Sequence, residues 1–455
     1  MNAIGATILS ILLVVVLIGS RRTAALGMIA GVLYLTGAQQ VQVLGLNVFA
    51  MRFLEVAGFI RILSRREFSF SNLNRIDRGL ILVYSYTTII YLLRSTAGDA
   101  VIIAQGLDAL LCYFTFRGLI RDMEELQSFL RYFLILLVPY TLLAISESLT
   151  HRNLFSLIGG GAYDWVRNGR FRCMGSFRNP DLLGTLGACF LPLYIGLACI
   201  KAERKLAILG IVLCLIIVWT CNSGGATSSA AIGVLGWAMW RIRFKMSLVR
   251  RTMAVTIILL AIVMKAPIWY LLARVSEITG GDGWHRAYLL DISFQHFDMW
   301  WLNGMRMADT WDWFPYSLQD GADITNEFMI FGLNAGMGAM ILFILLLIQA
   351  YRYLARALDS VRSNLHYSGE KEFMLWGLGV MLTAHIVNWM GISYFDQIYV
   401  IWFMQLAAIS AVSESCIITA AAPVPAEMLA EEEDQLAPEM ASNNNFFNST
   451  QCSSV

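Results

Sequence analysis

Runs of about 20 apolar residues, the length a helix needs to cross a bilayer, recur along the whole chain and are separated by short polar clusters rich in Arg and Lys. The pattern predicts about 13 membrane-crossing helices. They fall near residues 3–20, 24–43, 45–63, 79–95, 100–119, 129–148, 181–200, 206–221, 227–241, 252–272, 327–351, 373–391 and 397–415. The stretch 24–63 is the least regular, because Gln39, Gln40, Gln42, Arg52 and Glu55 interrupt it. One crossing plus a re-entrant or interfacial hairpin, and about 12 spans in total, is an equal reading of that stretch. The first run is followed by Arg21-Arg22 rather than preceded by positive charge. It is therefore expected to be a retained span and not a signal peptide. The expected fold is all-α: a polytopic transmembrane helical bundle over residues 1–415, with short helices in a large external loop.

Composition narrows the class. Of the 455 residues, 58% are hydrophobic and only 14% charged, and the mean hydropathy is +0.62. A soluble chain carries about 25% charged residues, so this one has too little polar surface to cover a globule in water. A net charge of +1 excludes a broadly basic nucleic-acid binder. The eight cysteines form no C-x-x-C pair and lie mostly in apolar runs, which points away from a disulfide scaffold or a zinc site. The basic clusters Arg21-Arg22, Arg61 to Arg78, Arg117 to Arg131, Lys201 to Lys205, Arg241 to Arg251 and Arg352 to Lys371 all fall on one side of the predicted topology. The positive-inside rule makes that side the cytoplasm. A polar tail, 416–455, follows on the same side and is expected to be disordered.

Two long segments, 149–180 and 274–326, remain on the outer side, and loops of this kind carry chemistry held by a rigid frame. The first holds Arg152, Arg167, Arg170, Arg172 and Arg178 against Asp164 and, at its edge, Asp181. Guanidinium is a permanently charged fork that grips phosphate through paired N–H bonds. A lipid-linked pyrophosphate is the natural anion at a membrane surface; headgroup contact or ion pairs with second-loop acids are the alternative. The second segment places Trp284, Trp300, Trp301, Trp311 and Trp313 among Asp282, Asp291, Asp298, Asp309, Asp312, Asp320 and Asp323. Indole beside carboxylate suits a sugar, and an interfacial aromatic belt has the same composition. Candidate bases are His151, His285, His296 and Glu327, although a carboxylate at 327 also suits a helix start. His366 falls on the inner side and His385 within a span, where packing is the simpler role. The outer loops contain neither D-x-D nor H-x-x-x-H, so no metal site is expected.

The stretch Arg172-Cys173-Met174-Gly175-Ser176-Phe177-Arg178-Asn179-Pro180 resembles the R-x-x-G-x-F-x-N-P signature of the O-antigen ligase and polymerase family. Further landmarks follow in the family's order: a turn at Ser223-Gly224-Gly225-Ala226, Arg286 followed by Leu290, and Thr325-Asn326 with Gly336 beyond. The resemblance covers about residues 170–350. It implies a metal-independent and cofactor-free membrane glycosyltransferase of the bacterial inner membrane, active on the periplasmic face in polysaccharide or lipopolysaccharide biosynthesis. Its partners would be a polyprenyl-pyrophosphate-linked glycan donor, a glycolipid or glycan acceptor, and membrane lipids. Carried over by position, Arg172 and Arg286 would grip the pyrophosphate, with Arg170, Arg178, Asn179, Thr325 and Asn326 lining the substrate site.

Two positions depart from the family pattern. Gly224 stands where the family's S-R-G turn has an arginine, and Thr325 stands where its H-N pair has the histidine. Threonine is no general base at neutral pH, so Glu327, His285 or another loop residue would have to serve. A transporter or flippase for lipid-linked glycans, and an inactive glycolipid-binding relative, are the competing readings. Transporters concentrate polar groups and broken helices at the midplane and usually show repeated halves, whereas this chain concentrates charge in two outer loops and shows no repeat.

Overall fold

The computed structural model describes residues 1–43, 46–94, 100–161, 165–167, 169–313, 321–363 and 369–421. The chain is helical almost throughout. α1 (Ala3–Ile18) and α2 (Arg21–Tyr34) are followed by an antiparallel hairpin of β1 (Gln40–Val43) and β2 (Leu46–Phe49), and then by α3 (Ala50–Ser64). α4 (Arg75–Arg94), α5 (Ala100–Leu119) and α6 (Met123–Thr150) lead to the first long segment, which contains a second small hairpin, β3 (Val166–Arg167) and β4 (Arg170–Phe171). α7 (Pro180–Ala198), α8 (Arg204–Cys221), α9 (Gly224–Ala238) and α10 (Met246–Val263) precede the second long segment. That segment carries α11 (Leu271–Thr279), α12 (Gly283–Gln295) and α13 (Phe297–Trp300). α14 (Glu327–Arg362), α15 (Gly369–Trp389) and α16 (Ile398–Ala421) complete the bundle.

Among the described residues eight helical stretches are long and apolar enough to cross a membrane: α4, most of α5, α6, α7, α8, the continuous run Gly224–Val263, α14 and most of α16. The chain is thus an all-α, multi-pass membrane protein. Helices are the natural solution in lipid because they satisfy every backbone N–H and C=O internally. Their starts are set by the sequence. Asn2, Ser20, Asp122, Asn179, Ser223, Asp282 and Asn326 each accept a backbone N–H from the first turn of the helix they open. Small residues bring α7 against α8 and α9: Gly184 meets Cys221 and Ala226, and Gly233 meets Pro192.

Three boundaries differ from the apolar pattern. The stretch 24–63 is two short helices, of 14 and 15 residues, joined by β1–β2. Its glutamines break the apolar run because they have partners elsewhere: the Gln39 amide donates to the Ile158 carbonyl in the first long segment. α10 stops at Val263 instead of running to 272, since Met264 is extended and Pro267 opens a short 3₁₀ turn at Ile268–Tyr270. The second long segment is therefore 264–326 rather than 274–326. α16 continues to Ala421, past the expected end at 415, and the rest of the expected tail lies outside the described residues. Asp164, Asp320 and His366 also lie outside them.

The two ends of the bundle are distinct. At one end the Met1 ammonium donates to Gln40 O (2.9 Å), Asn2 Nδ2 to Leu157 O (2.7 Å) and Thr36 Oγ1 to Ile158 O (2.7 Å), gathering the N-terminus, β1–β2 and the first long segment. At the other end basic residues meet acids: Arg21 with Glu125 (3.0 Å), Arg131 with Glu203 (3.2 Å), and both Arg243 and Arg362 with the buried Glu372. The second long segment has its own small core, in which Trp300 (0% exposed) and Trp313 (2% exposed) pack with Leu289, Leu290 and Leu333. Its chain turns into a break in α14. Ala335 and Gly336 leave helical geometry (Gly336 at φ +82°), Met337 N donates to Trp301 O (2.8 Å), and Met305 N donates to Leu333 O (2.7 Å). α10 buries none of its residues.

Candidate functional site

A buried carboxylate anchors the turn of the first long segment that follows Arg172. Glu147, near the end of α6, is 2% exposed and accepts Met174 N (3.0 Å) and Gly175 N (2.9 Å). Gly175 sits at φ +57° with the Tyr140 hydroxyl where a side chain would begin, so the turn after Arg172 requires glycine. The turn aims Arg172 inward to the start of α7, where Asp181 is the second helical residue.

Arg172 is 4% exposed; its Nη2 pairs with Asp181 Oδ1 and its Nε donates to Cys221 O (3.3 Å). The other oxygen of the same carboxylate, Asp181 Oδ2, lies 3.5 Å from Arg286 Nη2 in the first turn of α12. Arg167 completes the group. Its backbone carbonyl accepts Asn222 Nδ2 (3.2 Å), tying β3 to the turn between α8 and α9. Its guanidinium lies close enough for Arg172 and Arg286 to act on it electrostatically, with Asp181 and the rim residue Asp282 opposing them. Burial first, and then the Arg172 charge, hold the Arg167 guanidinium below its usual pKa. Its Nη1 is buried without a hydrogen-bond partner. Arg172 and Arg286 thus share Asp181, and with Arg167 beside them an excess of positive charge is left at the starts of α7, α9 and α12, where helix dipoles add to it.

The neighbouring backbone is kept bare. Gly224 packs so tightly on the Gly280 carbonyl that no side chain fits, and Gly281 lies beside Arg167 Nη1, Arg286 Nη1 and Gly224 Cα. Gly391, in the connection between α15 and α16, also lies against the Arg286 guanidinium. That connection leads into a second feature. A cavity of about 360 Å³ is lined by Tyr394, Asp396 and Arg178 together with Glu327, Arg52 and Asp108. Its aromatic wall includes Phe49, Tyr84, Phe331, Tyr399 and Trp402. Arg52 pairs with Asp108 through two nitrogens (2.9 and 3.0 Å), and Arg178 Nε lies 3.6 Å from Asp396. Burial raises the Asp396 carboxyl above the usual range, with Arg178 opposing. Glu327 Oε2 accepts Tyr394 N (2.7 Å), so a carboxylate at the start of α14 holds the connection in place.

The structure therefore brings Arg172 and Arg286 onto one carboxylate, and Glu327 and Arg178 onto one cavity. The remaining sequence candidates have local roles. Asn179 caps α7 by accepting Asp181 N (2.8 Å); Asn326 caps α14 and donates to Met390 Sδ (3.9 Å). Arg170 is exposed and lies over the Trp219 ring (4.8 Å). Thr325 is half-buried just before α14, and His285 is half-buried in the first turn of α12, beside Arg286. His385 is buried, with Nδ1 2.6 Å from the Tyr394 hydroxyl and Nε2 against Gln405, a packed polar residue as its position within a span suggested. The first-loop arginines pair with Asp181 and Asp396 rather than with acids of the second segment. Sequence reasoning did not single out Arg167, Glu147 or Asp396. Arg167 was visible only as one of several loop arginines, and Asp396 only as a lone acid between apolar runs. Among the described residues no cluster of His, Cys, Asp and Glu is arranged to hold a metal ion. No family model matches the chain, and no curated protein matches it.

Proposed function

We propose that the chain is a membrane glycosyltransferase of the type it resembles, an O-antigen ligase or polymerase. It would move a glycan from a polyprenyl-pyrophosphate carrier to an acceptor hydroxyl at the outer face of a bacterial inner membrane. The observation that carries this reading is the meeting of Arg172 and Arg286 on Asp181, with positive charge left over. The positive-inside rule supports the orientation: the end rich in Arg21, Arg131, Arg243 and Arg362 would be cytoplasmic, with α9 and α10 crossing on either side of Arg243 and the arginine cluster outside.

On this reading the C1–O bond to the diphosphate breaks, its electron pair leaves with the phosphate oxygen, and C1 bonds to the acceptor oxygen. Charge grows on the leaving diphosphate, where preset guanidinium donors do the most to lower the barrier. The acceptor proton passes to a carboxylate. Glu327 suits that role better than His285 because it faces a cavity large enough for sugar units, with aromatic walls and paired charges at hand.

Two observations favour the transporter reading: the break in α14 at Ala335–Gly336 and the Arg52–Asp108 ion pair between α3 and α5 in the cavity wall. One experiment separates the readings. Cells carrying Arg172→Ala or Arg286→Ala, with normal amounts of protein in the membrane, should lose surface-glycan transfer and accumulate lipid-linked glycan open to glycosidase added outside the membrane. Accumulation on the protected inner leaflet would support transport. Normal transfer by both variants refutes the transferase.

A further inference from the structure

We propose that Arg167 is the third arm of the diphosphate site, supplying from the first long segment the cation that position 224 cannot carry. The inference rests on the function proposed above and adds a residue to it.

Space makes the case first. Position 224 opens α9 at the edge of the cluster, but its Cα faces the Gly280 carbonyl and no side chain fits there. Gly281, the next residue of that wall, has the Arg167 and Arg286 Nη1 atoms and Gly224 Cα as its nearest neighbours. The Arg167 guanidinium thus reaches the place that an arginine at 224 would serve. It does so from a short hairpin pinned by Asn222 to the turn just before α9.

Hydrogen bonding makes the case second. Arg172 already donates to one oxygen of Asp181, and Arg286 is ion-paired with the other at 3.5 Å. Arg167 Nη1 is buried and has no partner. An unmet donor on a cation, beside two further cations, is costly unless an anion completes it. Asp282 is exposed at the rim, and one of its carboxylate oxygens accepts His285 N (3.1 Å) as the cap of α12.

Charge makes the case third. The three guanidinia and Asp181 sum to two positive charges, which balance the two ionised oxygens of a diphosphate diester. Departure of the sugar adds a further ionisable oxygen, and an arm not committed to Asp181 is free to follow that change. Arg167 is therefore expected to favour the leaving diphosphate over the bound donor, so its loss would lower kcat more than it raises KM.

The test uses the purified full chain in lipid nanodiscs and inorganic pyrophosphate as the probe, titrated by calorimetry. Arg167→Gln should weaken pyrophosphate binding by roughly tenfold, and Arg167→Lys, which keeps charge without the fork, should fall between it and wild type. Arg172→Gln should lose binding almost completely. If Arg167→Gln and Arg167→Lys both bind like wild type while Arg172→Gln fails, Arg167 is no part of the site and this inference is wrong. If wild type itself does not bind pyrophosphate, the diphosphate site falls, and the proposed function with it. Both Arg167 variants leave intact the backbone contact that pins the hairpin. An unchanged unfolding temperature for Arg167→Lys ties its loss of affinity to the side chain.

Discussion

Asp181→Asn removes one negative charge with almost no change in shape, and the arginine cluster sets the size of the result. Asp181 divides its two oxygens between Arg172, 4% exposed, and Arg286, 14% exposed at its side chain. Without the carboxylate two guanidinia face each other, and Arg167, across a poorly solvated gap. Breaking a buried ion pair from one side costs about 3–5 kcal/mol; the asparagine oxygen still accepts one N–H, which puts the expected loss near the lower figure. For a chain of this length that lowers the unfolding midpoint by roughly 3–6 °C. The cluster then lacks an anion, so added pyrophosphate should recover about 2.7 kcal/mol at a hundredfold excess over Kd. It should also bind the variant more tightly than wild type. A thiol-reactive dye followed during heating measures this directly, because Cys112, Cys189, Cys214 and Cys221 are free and buried in the folded protein. If Asp181→Asn unfolds at the wild-type temperature, or if pyrophosphate fails to stabilise it, Asp181 is not the counter-ion of an anion site and the electrostatic argument collapses.

Three further outcomes follow from the same geometry. Glu147→Gln replaces a carboxylate that accepts two N–H groups with an amide that accepts one and turns its own N–H₂ toward the other. It should cost about 2–3 kcal/mol and weaken pyrophosphate binding, since the turn that aims Arg172 loosens; calorimetry and dye-monitored melting would show an unchanged protein if the turn were held by other means. Glu327→Gln should lower kcat for glycan transfer by about 10²–10⁴ while leaving pyrophosphate affinity unchanged, and equal loss of both would assign Glu327 to folding instead. Burial, and then the Glu147 carboxylate, push the Cys173 thiol up to about 12. At pH 7 the thiolate is therefore scarce and Cys173 should resist maleimide until the protein unfolds; fast labelling in the native state, read by mass spectrometry, would contradict the packing around Arg172.

The bundle was legible because lipid imposes a length on every crossing, and most long apolar runs became helices. Among the described residues, eight stretches rather than about 12 or 13 have the length and hydropathy of a crossing. The pattern failed at residues 24–63, where Gln39 and its neighbours serve a hairpin partnered by a segment far along the chain. It also failed at the end of α10, where Pro267, four residues beyond the last helical residue Val263, outweighed an apolar stretch that continued to 272. The site was half legible. Five arginines of the first long segment, on the wrong side of the charge rule, pointed to an anion; the motif resemblance picked Arg172 from among them and added Arg286 from the second segment. That both would settle on Asp181 is a matter of tertiary placement, since α7 and α12 meet only in the folded bundle. Arg167 was hidden for the same reason: its distinction from Arg170, three residues later, lies wholly in which neighbour each guanidinium meets.

Thr325 weakens the proposed reaction less than its place in the motif implies. Glycosyl transfer from a diphosphate depends chiefly on stabilising the departing oxygens, and in the proposed reaction that task would fall to Arg172 and Arg286, which meet on Asp181. The acceptor proton is lost as the new bond forms, and a general base contributes about 10²–10⁴, so moving the base by one half-turn of chain leaves the larger contribution in place. Glu327 stands two residues beyond Thr325. Its contact with Tyr394 N fixes the connection whose other residues, Met390 and Gly391, touch Asn326 and Arg286. The Glu327 carboxylate facing the cavity and the Arg286 guanidinium are thus linked through one short loop. On the proposed reading, a shift of that loop on acceptor binding would reach Arg286 directly, a physical route to tie acceptor arrival to donor cleavage without a histidine at position 325.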